Sequence, residues 1–333
     1  MATPTFANYV QLIFTLFHFF LQSQSARAHR GHPFVYQHHK LIVFFTLMHF
    51  RHLFHFKTQH RWLTQHLDYR QVLGLATVPH RTTLSRRYKA LYPILQDFVA
   101  FVGRYAEDLD PAFESHELYE DKSLFKAQGP VWHQSDRRAE RLPPGLHHLD
   151  TDATWGKSAY HGWLYGYGLH LCDNRAGFPK WVQVETASVA ESPILDAQER
   201  RLLEDLVPST LTTDDAYTQA KRIRRFAQAG VVLLTPALRW VSGRYAKGYH
   251  DFIREPQQSQ LLRSRRTAIE PVFDLIAQLI EATDNHKQLP LQGLANVQTC
   301  LALATLTLQV AMIANSIWGL PLRNISTITI AFT

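Results

Sequence analysis

The chain has 333 residues, 46% of them hydrophobic and 19% charged, a globular composition that excludes a disordered chain. Its 35 Lys and Arg against 28 Asp and Glu give a formal charge of +7, and 19 histidines add positive charge as pH falls. That balance favours a polyanionic partner or surface. Two cysteines, Cys172 and Cys300, exclude a disulfide framework and a Cys-based zinc site, and fit a reducing, cytoplasmic compartment.

The apolar run "YVQLIFTLFHFFL" (Tyr9 to Leu21) is too short to cross a bilayer and carries Gln11 and His18. "MATPTFAN" before it has no basic region, so neither a signal peptide nor a membrane association is expected. Up to about residue 110 the aromatic and apolar residues recur at helical spacing with little glycine, and the region reads as all-helical. Eleven of the nineteen histidines fall before residue 81. His49, His52 and His55 follow one another at i, i+3, i+6, along one helix face.

In "YRQVLGLATVPHRTTLSRRYKALYPILQDFVAFVGRY" a short helix ends near Gly74, and a long one is expected from Thr82 or Thr83 as N-cap. Its apolar positions Leu84, Tyr88, Leu91, Leu95, Phe98, Val102 and Tyr105 step by three and four. Arg81, Arg86, Arg87 and Lys89 crowd its first turns. A helix-turn-helix with a basic N-terminal end is what insertion into a DNA major groove requires. A helical hairpin with a solvated basic face has the same pattern.

From about residue 115 the pattern changes. "HGWLYGYGLHLCD" and "PKWVQVETASVA" alternate and are joined by the turn-forming "NRAGF", so they form an antiparallel hairpin, with "LYED" as a candidate partner strand. "SPILDAQERRLLEDL", "TQAKRIRRFAQAG", "QLLRSRRTAIEPVFDLIAQLIEAT" and "NVQTCLALATLTLQVAMIANSIWG" read as helices, the last one buried, and "VVLLTPAL" as a buried strand. The order describes a mixed α/β layer. Three acids stand near element ends: Asp121, Asp214 and Glu270. Converging carboxylates are the usual means of holding hard divalent cations, but spacing alone does not select this triple from the other acids.

The successive blocks "DKSLFKAQGPVWHQSDRR", "PPGLHHLDTDATWGKSAYHGWLYGYGLHL", "DDAY" and "RRTAIEPVF" resemble those of DDE transposases of bacterial insertion sequences, over about residues 115 to 325. The resemblance implies an RNase H-like mixed sheet flanked by helices (111–333), preceded by the helical, DNA-binding region (1–110). It also implies two Mg²⁺ or Mn²⁺ ions held by Asp, Asp and Glu. The activity it implies is cleavage of transposon ends and their joining to target DNA, by a homodimer or higher assembly on double-stranded DNA. By position the acids fall on Asp121, on Asp214 (three residues before Tyr217, with Asp215 as fallback) and on Glu270, four residues after Arg266. Glu120 would point to the opposite strand face and is the poorer ligand. Asp121 is expected to end its strand, with the basic segment after it approaching a DNA backbone.

Two positions depart from the family pattern: Arg263 where Tyr is frequent, and Ala277 where Lys is frequent. Both serve DNA phosphates and helix register in the family. Arg263 and Arg266 are candidate phosphate contacts, Arg266 alternatively a plain ion pair with Glu270. Lys157, His161 and Trp163 lie in the family-like block, and Trp132 either stacks on a base or fills the core. A nuclease without strand transfer, or a decayed transposase that only binds DNA, are the competing readings.

Overall fold

The computed structural model describes residues 3–24, 35–158, 162–236, 244–283 and 287–333. The N-terminal region is helical: α1 (Phe6–Ser23), α2 (His38–Phe50), α3 (Phe56–Gln65), α4 (Leu67–Val72), α5 (Arg81–Lys89) and α6 (Tyr92–Tyr105). The long helix expected from Thr82 to Tyr105 is two helices. Pro93 sits in the first turn of α6, where its missing N–H costs nothing, whereas in a continuous helix its ring would crowd the Lys89 carbonyl. The apolar steps of three and four keep their phase across this break, which is why the pattern conceals it. His80, not Thr82 or Thr83, caps α5, its ring accepting from the Thr82 N–H.

The histidine face also dissolves. Helix α2 ends at Phe50, so of these three only His49 lies on it; His49 is buried and hydrogen bonded to the Tyr88 hydroxyl at 2.8 Å. Burial pulls its pKa down to about 3. His52 contacts Glu281 at 2.9 Å, and His55 stands at the start of α3.

The second region contains β1 (Glu117–Lys126), α7 (Gln134–Arg138), β2 (Thr154–Ser158), β3 (Gly162–Asn174), β4 (Pro179–Thr186), α8 (Glu191–Arg200), β5 (Thr210–Thr212), α9 (Ala220–Gln228) and β6 (Val232–Leu234). Helices α10 (Arg244–Arg254), α11 (Pro256–Leu279), α12 (Leu294–Ile317) and α13 (Ser326–Phe332) complete it. The sheet runs β2-β3-β1-β5-β6, with β4 also on β3. β1, β5 and β6 are parallel; β3 is antiparallel to β1, and β2 and β4 are antiparallel to β3. Parallel strands beside an antiparallel hairpin, flanked by helices, make the RNase H-like arrangement.

The hairpin closes as its sequence dictates. Gly177 takes φ +75°, and the Asn174 side chain accepts from the Ala176 and Phe178 N–H groups at 3.0 and 2.9 Å. Gly166 lies so close to β1 that a Cβ there would meet the Phe125 carbonyl.

α12 is the centre of the molecule. It is apolar around its whole circumference and buried along nearly all its length, as a core helix must be. Gln309 donates to the carbonyls of Val99 in α6 and Pro179 in β4, at 2.9 and 2.8 Å, and Thr299 donates to the Tyr88 carbonyl at 2.8 Å. The helices before residue 110 and one sheet face therefore share a single hydrophobic core. The other sheet face packs on α8, α9 and α10 around Leu118, Cys172, Trp181, Tyr217 and Phe226.

Candidate active site

Strand alternation separates two adjacent acids on β1. Tyr119, Asp121, Ser123 and Phe125 face α11, whereas Leu118, Glu120 and Lys122 face the α8–α9 layer. β5 pairs with β1 only as far as Tyr119↔Thr212. Asp121 and Asp214 each lie two residues past that pair, so both stand where the parallel strands part. The carboxyl ends of parallel strands are the usual place for a site in such sheets.

The sequence places Asp121 at the end of its strand, but in the structure it lies mid-strand. β1 continues to Lys126 because β3 stays paired with it throughout. Nor does the segment after Asp121 lead straight to solvent: Lys122 turns inward and donates to the Ala187 and Val189 carbonyls at 3.0 and 2.6 Å.

Asp214 caps the 3-10 turn Asp215–Tyr217, its Oδ1 accepting from the Ala216 N–H at 2.9 Å. Burial, then the Asp121 charge, push its pKa up to about 6. Asp121 accepts from the Lys122 N–H at 2.8 Å through Oδ1 and forms an ion pair with Arg265 through Oδ2. Burial outweighs that pairing and raises its pKa, with the Glu270 charge adding to the rise.

Glu270 sits on α11 just before Pro271, more than half exposed, and 3.8 Å from the exposed Arg266. It belongs to the same electrostatic cluster as Asp121 and lies on the same side of the sheet. Among the described residues no three acid, histidine or cysteine side chains converge on one metal-sized point. The donor types are nonetheless those a hard divalent cation takes, namely carboxylate oxygens crowded enough to disfavour their own ionisation. A guanidinium stands where a cation would otherwise offset them.

Glu120 is fully buried with no direct hydrogen bond on either oxygen, and burial raises its pKa far above the carboxylate range; the nearby Arg222 opposes the rise. Arg222 is itself buried and contacts Asp196 at 2.9 Å and the Ser192 carbonyl at 2.8 Å. Glu120 is closed off from any ligand, in line with its strand face.

The other candidate residues divide. Arg81, Arg86 and Lys89 are exposed on α5, and Arg263 and Arg266 on α11. Arg87 is partly buried and donates to the Tyr36 carbonyl at 3.3 Å. Because α5 stops at Lys89, Arg86, Arg87 and Lys89 occupy its last turn and not the start of a longer helix, and cations there complement the helix carbonyl end. Lys157 is exposed on β2, opposite the 64% exposed Trp163 of β3; His161 lies outside the described residues. Trp132 is half-buried, donating to the Arg141 carbonyl at 3.1 Å with Arg137 over its ring. Ala277 is buried on α11 and makes no contact with solvent.

Sequence reasoning missed Arg265, which lies in "RSRR" beside two other arginines. Its one distinguishing signal is helical phase: it falls on the stripe of Leu261, Ala268, Ile269 and Val272 that packs inward, whereas Arg263 and Arg266 do not. It also missed Asp173, a buried acid on the Asp121 face whose pKa burial drives far up, and Glu191, whose charge bears on Asp214.

The Transposase DDE domain family matches residues 121–290, just over half of the chain, beginning at Asp121 and including Asp214 and Glu270. The chain belongs to that family. No curated protein matches it. Among solved structures, "Crystal structure of a pre-cleavage Mos1 transpososome" aligns over 85% of this chain and 99% of that one, at 8% identity and a TM-score of 0.22, too low to add to the fold.

Proposed function

We propose that the protein is a DNA transposase that cleaves the ends of its element and joins them to target DNA, with Asp121, Asp214 and Glu270 as its metal-holding acids. The observation that carries this is the placement of Asp121 and Asp214 at matching positions past the Tyr119↔Thr212 pair, with Glu270 on the same side. Two Mg²⁺ or Mn²⁺ ions, when bound, would supply charge stabilisation for the attacking and leaving oxygens of an in-line phosphodiester displacement.

The chain's own residues do the rest. Asp121 on a central strand and Asp214 on a capped turn give the carboxylates fixed positions. Glu270, on the solvent face of α11, is the acid with most freedom to swing in. Burial around Asp121 and Asp214 excludes water and strengthens their attraction for cations. Arg263, Arg266 and the exposed cations of α5 supply phosphate contacts that position the duplex without reading its sequence. The partner is double-stranded DNA, bound by a dimer or larger assembly in the cytoplasm.

The experiment is cleavage of labelled element ends mixed with plasmid target in EDTA, Ca²⁺ or Mg²⁺. Cleavage and joined product in Mg²⁺ alone support the reading. Cleavage persisting in EDTA overturns the metal assignment, and cleavage without joined product indicates a plain nuclease.

A further inference from the structure

Asp121 has both oxygens engaged. Oδ1 takes the Lys122 N–H at 2.8 Å, and Oδ2 holds Arg265 Nη1. The two side chains are only 17% and 12% exposed, so the contact is well shielded from solvent. Arg265 is held there by its helix. It occupies the inward stripe of α11, one turn before Ala268 and Ile269, which are buried against the core. Asp214, two residues past the same strand pair, has one oxygen on the Ala216 N–H and makes no ion pair with Arg265.

We infer that Arg265 is the resident cation of this acidic cluster: it holds Asp121 in place without a divalent ion, and competes with that ion for Asp121 Oδ2. The inference rests on the acid assignment proposed above. Two ionised carboxylates near one another repel, and one guanidinium offsets part of that repulsion. A divalent cation offsets more, but the same oxygen cannot serve both. Coupling of this kind is reciprocal, so whatever Arg265 gains on Asp121 is subtracted from the affinity for metal. Arg265 is thus a positioning residue distinct from Arg266, which stands in solvent four residues before Glu270.

The test measures Mn²⁺ binding to the full-length protein without DNA, by the electron paramagnetic resonance of free Mn²⁺, at a pH of about 8 to keep the carboxylates ionised. Arg265→Gln is expected to bind Mn²⁺ at least about tenfold more tightly than wild type. Arg265→Lys, which keeps the charge and loses the fork, falls between them and serves if the Gln variant does not fold. In an Asp121→Asn background, Arg265→Gln should bring no gain, because the contested oxygen is gone. Binding equal to or weaker than wild type in both Arg265 variants overturns the inference, as does an undiminished gain in the Asp121→Asn background. A wild-type protein that binds no Mn²⁺, or binds it unchanged in Asp214→Asn, overturns the acid assignment instead.

Discussion

The two faces of β1 carry neighbouring acids with opposite fates. Glu120 faces the α8–α9 layer, beside buried Arg222 and Tyr217, and has no opening to solvent. Asp121, one residue on, faces α11 at the point where β5 has stopped pairing, and retains 17% of its side-chain exposure. Burial raises the pKa of both. The difference between them is access. A carboxylate becomes a candidate ligand where strand pairing ends and leaves room for a cation, and becomes part of the packing where a helical layer closes over it.

If that contrast is right, substitutions on the open face change chemistry and those on the closed face change stability. The largest effect is expected from Asp121→Asn or Asp214→Asn. Each should lower end cleavage by at least about a thousandfold, since several kcal/mol of charge stabilisation are lost. Glu120→Gln, near-isosteric and on the closed face, should leave cleavage near the wild-type rate in the same assay. A loss in Glu120→Gln matching that in Asp121→Asn would erase the distinction between the faces.

On the closed face, Arg222→Ala removes the partner of Asp196 and of the Ser192 carbonyl. Chemical denaturation should show a loss of about 2–3 kcal/mol, from the cavity left by a fully buried side chain and from the Tyr217 and Ser192 carbonyls left without their donor, since half-exposed Asp196 keeps Arg225. Cleavage per folded molecule should be unchanged.

A smaller, pH-dependent effect separates stability from activity on the open face. The Asp214 carboxyl titrates at about 6 when folded, against an ordinary 3.8. Between those values the folded state holds more protons than the unfolded one, so this group's contribution to stability falls as pH rises through the window and is constant above it. In EDTA at neutral pH, Asp214→Asn should therefore be more stable than wild type by about 1–2 kcal/mol, allowing for partial solvent screening. The gap should close below about pH 4. Melting curves against pH check this, and a gap that widens toward acid pH would refute it.

The smallest effect belongs to α5. Replacing Arg86 and Lys89 by Ala should lower the slope of log DNA affinity against log salt by roughly two, if each makes one phosphate contact. Arg87→Ala should change the slope less, because that side chain is committed to the Tyr36 carbonyl. A flat response to all three would make the basic turn a helix terminus and nothing more.

Much of the sheet was legible because alternation and turn chemistry act locally. The β3–β4 hairpin follows from two alternating runs around "NRAGF". The full length of β1 was not legible: Asp121, Lys122 and Ser123 interrupt its apolar alternation exactly where the site opens and Lys122 is drawn to the Ala187 and Val189 carbonyls. The break before α6 was present in Pro93 but concealed by an apolar phase that runs through it. For the site, Asp214 and Glu270 were picked out only through resemblance, since where they lie relative to Asp121 depends on β1–β5 pairing and on the course of α11, neither of which spacing encodes. Arg265 was not singled out, because three arginines in four residues look alike until the packing stripe of α11 is known.

The central claim is that Asp121 and Asp214, not Glu120, hold the metal. Anomalous diffraction from crystals of the protein soaked in Mn²⁺ tests it most directly. The expected result is a Mn²⁺ peak touching Asp121 Oδ2 and Asp214, with Arg265 moved off Asp121. A peak on the Glu120 side of the sheet, or one that touches neither Asp121 nor Asp214, would contradict it.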